Sequence, residues 1–412
     1  MGELLRRFWI PGFLEEEIAA PDSAPIHLRL LGEDLVAFKD SQSEIGVLDA
    51  YCPHRCAHLY FGRNEESGIR CVYHGWKFDV NGNCLDMPSE PEGDKLKAAM
   101  STQSYPAIAR GGVVWVYMGP KEMAPELPEF EWSRLAPKHR TAIKRIQECN
   151  WAQAVEGGID SAHISFLHRN LVELERREDE IIHVKYGRSG NPEFTVMDAD
   201  YGMLIGARRQ GDDGRNYWRI TPFLVPFYTM IPPVLFHAEE SAGQRFDGHA
   251  WVPIDDHNVW TWTFTCQPNR PMTDEEKLAG TKGGRWGPVD DNYRPLRNRG
   301  NEYLLDRDMQ RDENFSGLVG IPNQDAAVQE SMGSIVNRTR EHLGKSDSAV
   351  IAFRRIIMGL ARDLEAGNEP EAARNAAWYN VRSGSIILDA DVPFNEGAAH
   401  LLRGGEIKAA AE

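Results

Sequence analysis

Four side chains capable of chemistry crowd the stretch EGGIDSAHISFLH: Glu156, Asp160, His163 and His168. The first three are spaced by four and three, and His168 follows five later. In a helix the first three share a face, because residues three and four apart are neighbours. At 100° per residue, His168 would sit about 140° round from His163. Both imidazoles can therefore meet at one point only if the helix ends or distorts near Ile164 to Leu167. An acidic group beside two convergent imidazoles is a binding set for iron or zinc. The same spacing also occurs where histidines merely cap a helix or face solvent.

A second constellation lies upstream in two short segments, CPHRCAHL from Cys52 and CVYHGW from Cys71. Each offers one thiolate and one imidazole: Cys52 with His54, then Cys71 with His74. Two sulfurs and two nitrogens could suit tetrahedral zinc, but zinc sites usually group like ligands together. Here each segment is mixed. That arrangement matches a Rieske [2Fe–2S] centre, in which one iron takes two Cys and the other two His. Cys56 and His58 fall outside the pattern and read as a packed thiol and a loop imidazole. Gly75 is placed to let backbone approach the cluster closely.

The elements that must position these groups are legible in outline. From His27, the runs HLRLL, LVAF and IGVLDA are divided by turn residues, as in an antiparallel meander. Trp76 to Asp79 and Cys84 to Met87 flank Asn81-Gly82, a hairpin signal. Residues 120–137 hold four prolines and many charges and read as a linker, which puts a domain boundary near 140. The expected domains are thus 1–140 and 141–412. In the second, aromatic and β-branched runs at 183–186, 193–198, 203–209, 217–222, 249–253 and 260–266 are candidate strands. Ser348 to Ala366 has helical apolar spacing, stopped by Gly367 and Pro370. The fold class is α+β. The mostly apolar stretch from Ile220 to Phe236 reads as buried extended chain and as a candidate pocket wall.

A chain of 412 residues is long enough for two or three domains. Its formal net charge of −16 argues against general nucleic-acid binding, which needs a basic face. The same charge gives no attraction to anionic membranes, and no run is apolar enough to span one. Met1 to Arg7 run into Phe8, Trp9 and Ile10 without the apolar core of a secretory signal. Six cysteines are too few for a disulfide scaffold, so the cytoplasm is the expected location. A G-x-G-x-x-G fingerprint is lacking, which disfavours a nicotinamide site within the chain.

With both constellations in view, the chain resembles the catalytic (alpha) subunit of Rieske non-haem iron ring-hydroxylating oxygenases, closest to the phthalate dioxygenase group. The matching segments are MGELLRRFWIP, CPHR, CVYHGWKFD, NWAQAVEGGIDSAHISFLH and NQDAAVQESMGSIVNRTREHLGKSD. The resemblance implies an antiparallel β Rieske domain followed by a helix-grip catalytic domain, in which a curved antiparallel sheet holds a long helix. It implies Cys52, His54, Cys71 and His74 as cluster ligands, and His163 and His168 as two ligands of a mononuclear Fe(II). Asp160 would bridge the two centres, with a distant carboxylate as third iron ligand. Asp325 fits that position, although spacing alone does not choose it over Asp306, Asp308, Asp312 or Glu330.

The implied activity is hydroxylation or cis-dihydroxylation of an aromatic carboxylate with O2, or, in the same family, O-demethylation or cleavage of a diaryl ether. An NADH-dependent flavin iron–sulfur reductase would supply electrons, and the subunits would form trimers or stacked trimers. An aromatic carboxylate requires a cation, and Arg208 and Arg245 are the expected partners, since only one of Arg208 and Arg209 can face a cavity. A Rieske electron carrier fused to a binding domain, or a zinc-stapled binding protein, are the alternatives of another class. Iron quantitation separates them.

Overall fold

The computed structural model describes residues 2–91, 93–171, 182, 186, 191–279, 281 and 287–405. The chain forms two compact units: Met1–Leu127 with Pro253–Asp255, and Pro128–Val252 with Asp256–Glu412. The division falls at Leu127, not near 140. The reason is packing. Phe130 sits 4.8 Å from Tyr228, and Trp132 stacks on Phe264 at 3.9 Å, so the latter part of the proline-rich stretch belongs to the second unit's core.

The first unit is built from three small antiparallel sheets. β1 (Trp9–Leu14), β9 (Ala107–Arg110) and β10 (Val113–Tyr117) form one, in the order β1-β10-β9. The meander β2 (Ile26–Leu30), β3 (Glu33–Lys39) and β4 (Ile45–Asp49) forms the second. β5 (Arg63–Asn64), β6 (Ile69–Arg70), β7 (Lys77–Phe78) and β8 (Cys84–Asp86) form the third. Its core gathers Val36, Phe38, Leu48, Leu59, Ile69 and Phe78, and it includes Cys52, Cys71 and Trp76.

The second unit carries an eight-stranded sheet. β11 (Arg140–Gln147), β12 (Glu193–Ala199), β13 (Gly202–Gln210), β14 (Asn216–Leu224), β15 (Tyr228–Ile231), β16 (Phe246–Pro253) and β17 (Val259–Cys266) run in the order β11-β17-β16-β15-β14-β13-β12. β18 (Gly384–Leu388) pairs with the start of β14. The expected strand at 183–186 lies, apart from Tyr186, outside the described residues. Side chains alternate between faces along each strand. On one face Phe223 meets Phe353 of the Ser348–Glu365 helix, with ring centroids 5.1 Å apart. On the other, Trp218 stacks on Phe394. The sheet therefore holds the long helix against the face that carries Phe223. Among the described residues no helix is long and apolar enough to cross a membrane.

The Trp151–Ile159 helix starts at Asn150, whose side chain caps the Ala152 N–H. Glu156 anchors it: both Arg338 and Arg354 ion-pair with that carboxylate, and Glu341 joins the same network. Glu156 is thus a structural anchor rather than part of the metal set. Gly157 and Gly158 let the helix sit tight. A Cβ on Gly158 would collide with the Trp251 ring, while one on Gly157 would meet only the amide end of Gln329. Overpacking of this kind costs about 1–3 kcal/mol, less where a flexible side chain can yield. Gly158→Ala is expected to lower stability by that amount in denaturant unfolding, with Gly157→Ala the milder of the two.

Candidate metal centres

The helix does not run through to His163. It stops at Asp160, whose backbone is extended (φ −84°, ψ 115°), and a short helix, Ile164–Leu167, begins after His163. The break thus precedes His163, instead of falling within 164–167 as spacing predicted. Asp160 and His163 stay adjacent because the turn is held by the Ala162 N–H donating to Asp160 Oδ1 at 2.6 Å. Asp160 Oδ2 lies 3.4 Å from His163 Nδ1. The two imidazoles then converge, with centroids 5.0 Å apart and planes at 83°.

Their Nε2 atoms are 3.2 Å apart. Asp325 Oδ1, from the Ile321–Ser331 helix, is 3.6 Å from His163 Nε2 and 3.3 Å from His168 Nε2. Three points so separated fit a sphere about 2 Å in radius, the bond length from a divalent metal ion to imidazole nitrogen or carboxylate oxygen. Among the described residues this is the one set of three metal-binding side chains whose donor atoms lie within 4.8 Å of one another. Asp306, Asp308, Asp312 and Glu330 are occupied elsewhere: Asp306 caps a helix, Asp308 and Asp312 pair with Arg311, and Glu330 accepts from Tyr303.

The outer nitrogens settle the tautomers. Gln324 Nε2 donates to Leu318 O, so its Oε1 is the acceptor facing His168 Nδ1 at 2.7 Å. His168 therefore holds its proton on Nδ1, and in the neutral ring Nε2 keeps a lone pair. Asp160 Oδ2, an acceptor 3.4 Å from His163 Nδ1, favours the same tautomer there. Two lone pairs and a carboxylate pointing at one locus fit a bound cation, the arrangement in which outer partners orient metal-ligating histidines. Charge agrees. Burial disfavours the protonated His163 ring, yet the hydrogen bond to Asp160 and the charge of Asp325 outweigh it and raise its pKa. Burial likewise works against the Asp325 anion, but His168, His163 and Arg145 hold its pKa below the usual carboxylate range. His249, half-buried on β16 and within electrostatic reach of Asp325, is pushed down to about 4 chiefly by desolvation and so is neutral near pH 7.

In the first unit the two ligand loops repeat one backbone frame. The Cys52 N–H donates to Ala57 O and the Cys56 N–H to Cys52 O, while the Cys71 N–H donates to Trp76 O and the Gly75 N–H to Cys71 O. Cys56 (φ 57°) and Gly75 (φ 80°) occupy the same left-handed position in the two loops. At Gly75 a Cβ would also press on Pro88 at 2.7 Å. His54 and His74 meet edge to face at 4.3 Å, and His54 stacks on Trp76. His54 Nδ1 is buried without a hydrogen-bond partner. Cys52 is pushed up to about 12 by burial and by the adjacent Cys71 thiol. A buried orphan nitrogen beside two buried thiols, one of which resists ionising alone, is the donor set a cationic cluster satisfies.

The expected substrate arginines are placed differently. Arg208 stands opposite Glu193 in the β12–β13 register and ion-pairs with it. Arg245 pairs with Asp247 at 3.2 Å. The alternation that puts Arg208 on the Trp218 face turns Arg209 to the Phe223 face, where it is buried. Sequence reasoning weighed Arg209 against Arg208 and chose Arg208, whereas Gln324, Arg219 and His249 escaped it. Of those three, Gln324 alone carried a signal, as the immediate neighbour of Asp325.

Asp325→Ala is expected to empty the histidine site, and Gln324→Leu to weaken its iron affinity by about 10–100-fold. Asp312→Ala should change neither. Iron titration of the protein with the cluster intact checks all three.

Residues 8–106 match the Rieske [2Fe-2S] domain family, and residues 116–395 match the family described as LigXa C-terminal domain like. The chain is 39% identical over 407 residues to the phthalate 4,5-dioxygenase oxygenase subunit of Pseudomonas putida, covering 96% of this chain and 90% of that protein. It is 34% identical to the 3-chlorobenzoate-3,4-dioxygenase oxygenase subunit of Comamonas testosteroni, over 98% and 95% of the two chains. The crystal structure of dicamba monooxygenase bound to dicamba superposes with a TM-score of 0.60 at 18% identity, over 89% of this chain and all of that one, which shows a shared fold. A Rieske domain, a catalytic unit in which two histidines and an aspartate converge, and near full-length similarity lead to one conclusion: this chain belongs to the Rieske non-haem iron ring-hydroxylating oxygenases, as an alpha subunit of the phthalate dioxygenase group.

Proposed function

We propose that this chain is a cytoplasmic oxygenase component that uses O2 to hydroxylate or cis-dihydroxylate the ring of an aromatic carboxylate, with electrons from a separate NADH-dependent flavin iron–sulfur reductase. The observation that carries the reading is the convergence of His163, His168 and Asp325 in a chain that also holds a Rieske domain. The similarity to a phthalate 4,5-dioxygenase oxygenase subunit supports the substrate class. When bound, the cluster supplies electrons singly, and Fe(II) on two His and one carboxylate supplies open positions for O2 chemistry.

The protein's own groups prepare that chemistry. Gln324 and Asp160 keep the protons of both imidazoles on their outer nitrogens. Arg145 donates to Pro322 O in the first turn of the helix that carries Asp325, and so steadies that helix. The sheet face bearing Phe223 offers buried apolar surface, which excludes water from a ring substrate. Asp160 serves as the relay: it accepts from His163 and, in a trimer or stacked trimers, from His74 of the neighbouring subunit.

Asp160→Asn is expected to retain both metal centres yet slow single-turnover oxidation of the cluster on the order of 100-fold. An unchanged rate would refute the relay. The function itself is tested by supplying the reductase, NADH and O2 and screening aromatic acids for coupled O2 uptake and oxidised ring products. O2 uptake that leaves every aromatic acid unaltered contradicts it.

A further inference from the structure

Trp76 closes the second ligand loop, and its indole carries a donor that nothing in the protein answers. Its backbone O accepts from the Cys71 N–H. Its side chain is buried, at 4% exposure, in the core that holds Cys52 and Cys71. The ring lies nearly parallel to that of His54, with centroids 4.5 Å apart and planes at 9°. The first unit has two other indoles, and both are satisfied: Trp9 Nε1 donates to Pro125 O at 2.7 Å and Trp115 Nε1 to Arg110 O at 3.1 Å. Trp76 Nε1 is buried without a hydrogen-bond partner, as is Nδ1 of the His54 ring stacked on it. Trp218, Trp260 and Trp262 of the second unit share the missing partner, but none belongs to the core that holds the two thiols.

A buried indole N–H normally finds an acceptor, because leaving the bond unmade is costly. A ring nitrogen with a lone pair can be satisfied by iron, but an N–H cannot, since a cation accepts nothing. What a cluster offers a donor is sulfur, from its bridging sulfides and from the cysteine thiolates. We propose that the Trp76 indole N–H donates a hydrogen bond to a sulfur of the bound cluster and thereby raises its reduction potential. Reduction adds negative charge to the cluster, and a donor on sulfur stabilises that state more than the oxidised one. The indole therefore has two separable roles: its face packs on His54, and its N–H tunes the cluster. The inference concerns the cluster alone, so it stands or falls apart from the substrate reading above.

The test is a redox titration of the holoenzyme and of Trp76→Phe, followed by visible absorption and by the EPR signal of the reduced cluster. Phenylalanine keeps an aromatic face for His54 and removes the donor. At the wild-type midpoint, the reduced-to-oxidised ratio of the variant's cluster is expected to be about tenfold lower, a midpoint about 59 mV more negative for a one-electron couple. That is the scale of one hydrogen bond to a charged acceptor. Wild-type sequence carrying ring-fluorinated tryptophan keeps the indole and strengthens the donor, so its midpoint should rise, and it carries the test if Trp76→Phe fails to fold. Pulsed EPR of reduced wild-type protein with isotopically labelled indole nitrogen should show a coupled nucleus. A midpoint unmoved by the phenylalanine variant, or by fluorination where that variant does not fold, overturns the proposal. Absence of the nitrogen coupling overturns it whatever the midpoints do, because the N–H then does not meet the cluster and any shift reports lost packing.

Discussion

Two imidazole nitrogens 3.2 Å apart, with a carboxylate oxygen almost as near, form an arrangement that a positive charge at their centre would satisfy. Much of the second unit can be understood as what enforces it. The chain breaks at Asp160, so His163 turns back toward His168. Asp160 and Gln324 occupy the outer ring nitrogens and leave the inner ones bare. The Asp325 helix is drawn close through Gln153, whose amide donates to Gln329 O and Gly333 O, and through Gln147, which donates to Gln329 Oε1. The glycine pair in the Trp151–Ile159 helix permits that closeness. The ion-pair network on Glu156 fixes the same helix from its far side.

The first unit solves the opposite problem, a site that must be exposed at its tip and buried at its base. Cys52 and Cys71 sit in the apolar core, at 1% and 3% exposure, while Tyr73 stands largely exposed beside His74. Two loops with the same hydrogen-bond frame place one buried thiol and one half-buried imidazole each. A left-handed residue closes each frame. Gly75 meets that demand without strain. Cys56 meets it as an exposed thiol, so the reading of Cys56 as a packed thiol does not hold.

The candidate cluster ligands stood out in the sequence because chemistry restricts the pattern: few patterns set one Cys and one His in each of two loops, and the short hairpins around them carry their own turn residues. Strands β12, β13, β14, β16 and β17 were equally legible, since aromatic and β-branched runs of that length have few other uses, but β11 and β18 were not anticipated. What escaped were facts decided by tertiary register. Alternation says that Arg208 and Arg209 face opposite ways, but only the pairing of Glu193 with Arg208 says which one is spent on an ion pair. Arg219 and His249 looked like ordinary strand residues until the sheet brought them to the face shared with Phe223. Asp325 could not be separated from its acidic neighbours by spacing. Partners separate it, because each rival is already engaged by a cap, an arginine or a tyrosine. The helix break came one turn earlier than spacing required, because periodicity cannot register an Asp that turns the chain through its own carboxylate.

The central claim is that the histidine–aspartate set binds one iron distinct from the cluster. Mössbauer spectroscopy of anaerobic, iron-replete, dithionite-reduced protein enriched in the isotope tests it most directly. The account predicts a high-spin ferrous doublet, separate from the cluster's signals, carrying about one iron in three. A spectrum in which all bound iron belongs to the cluster would contradict it.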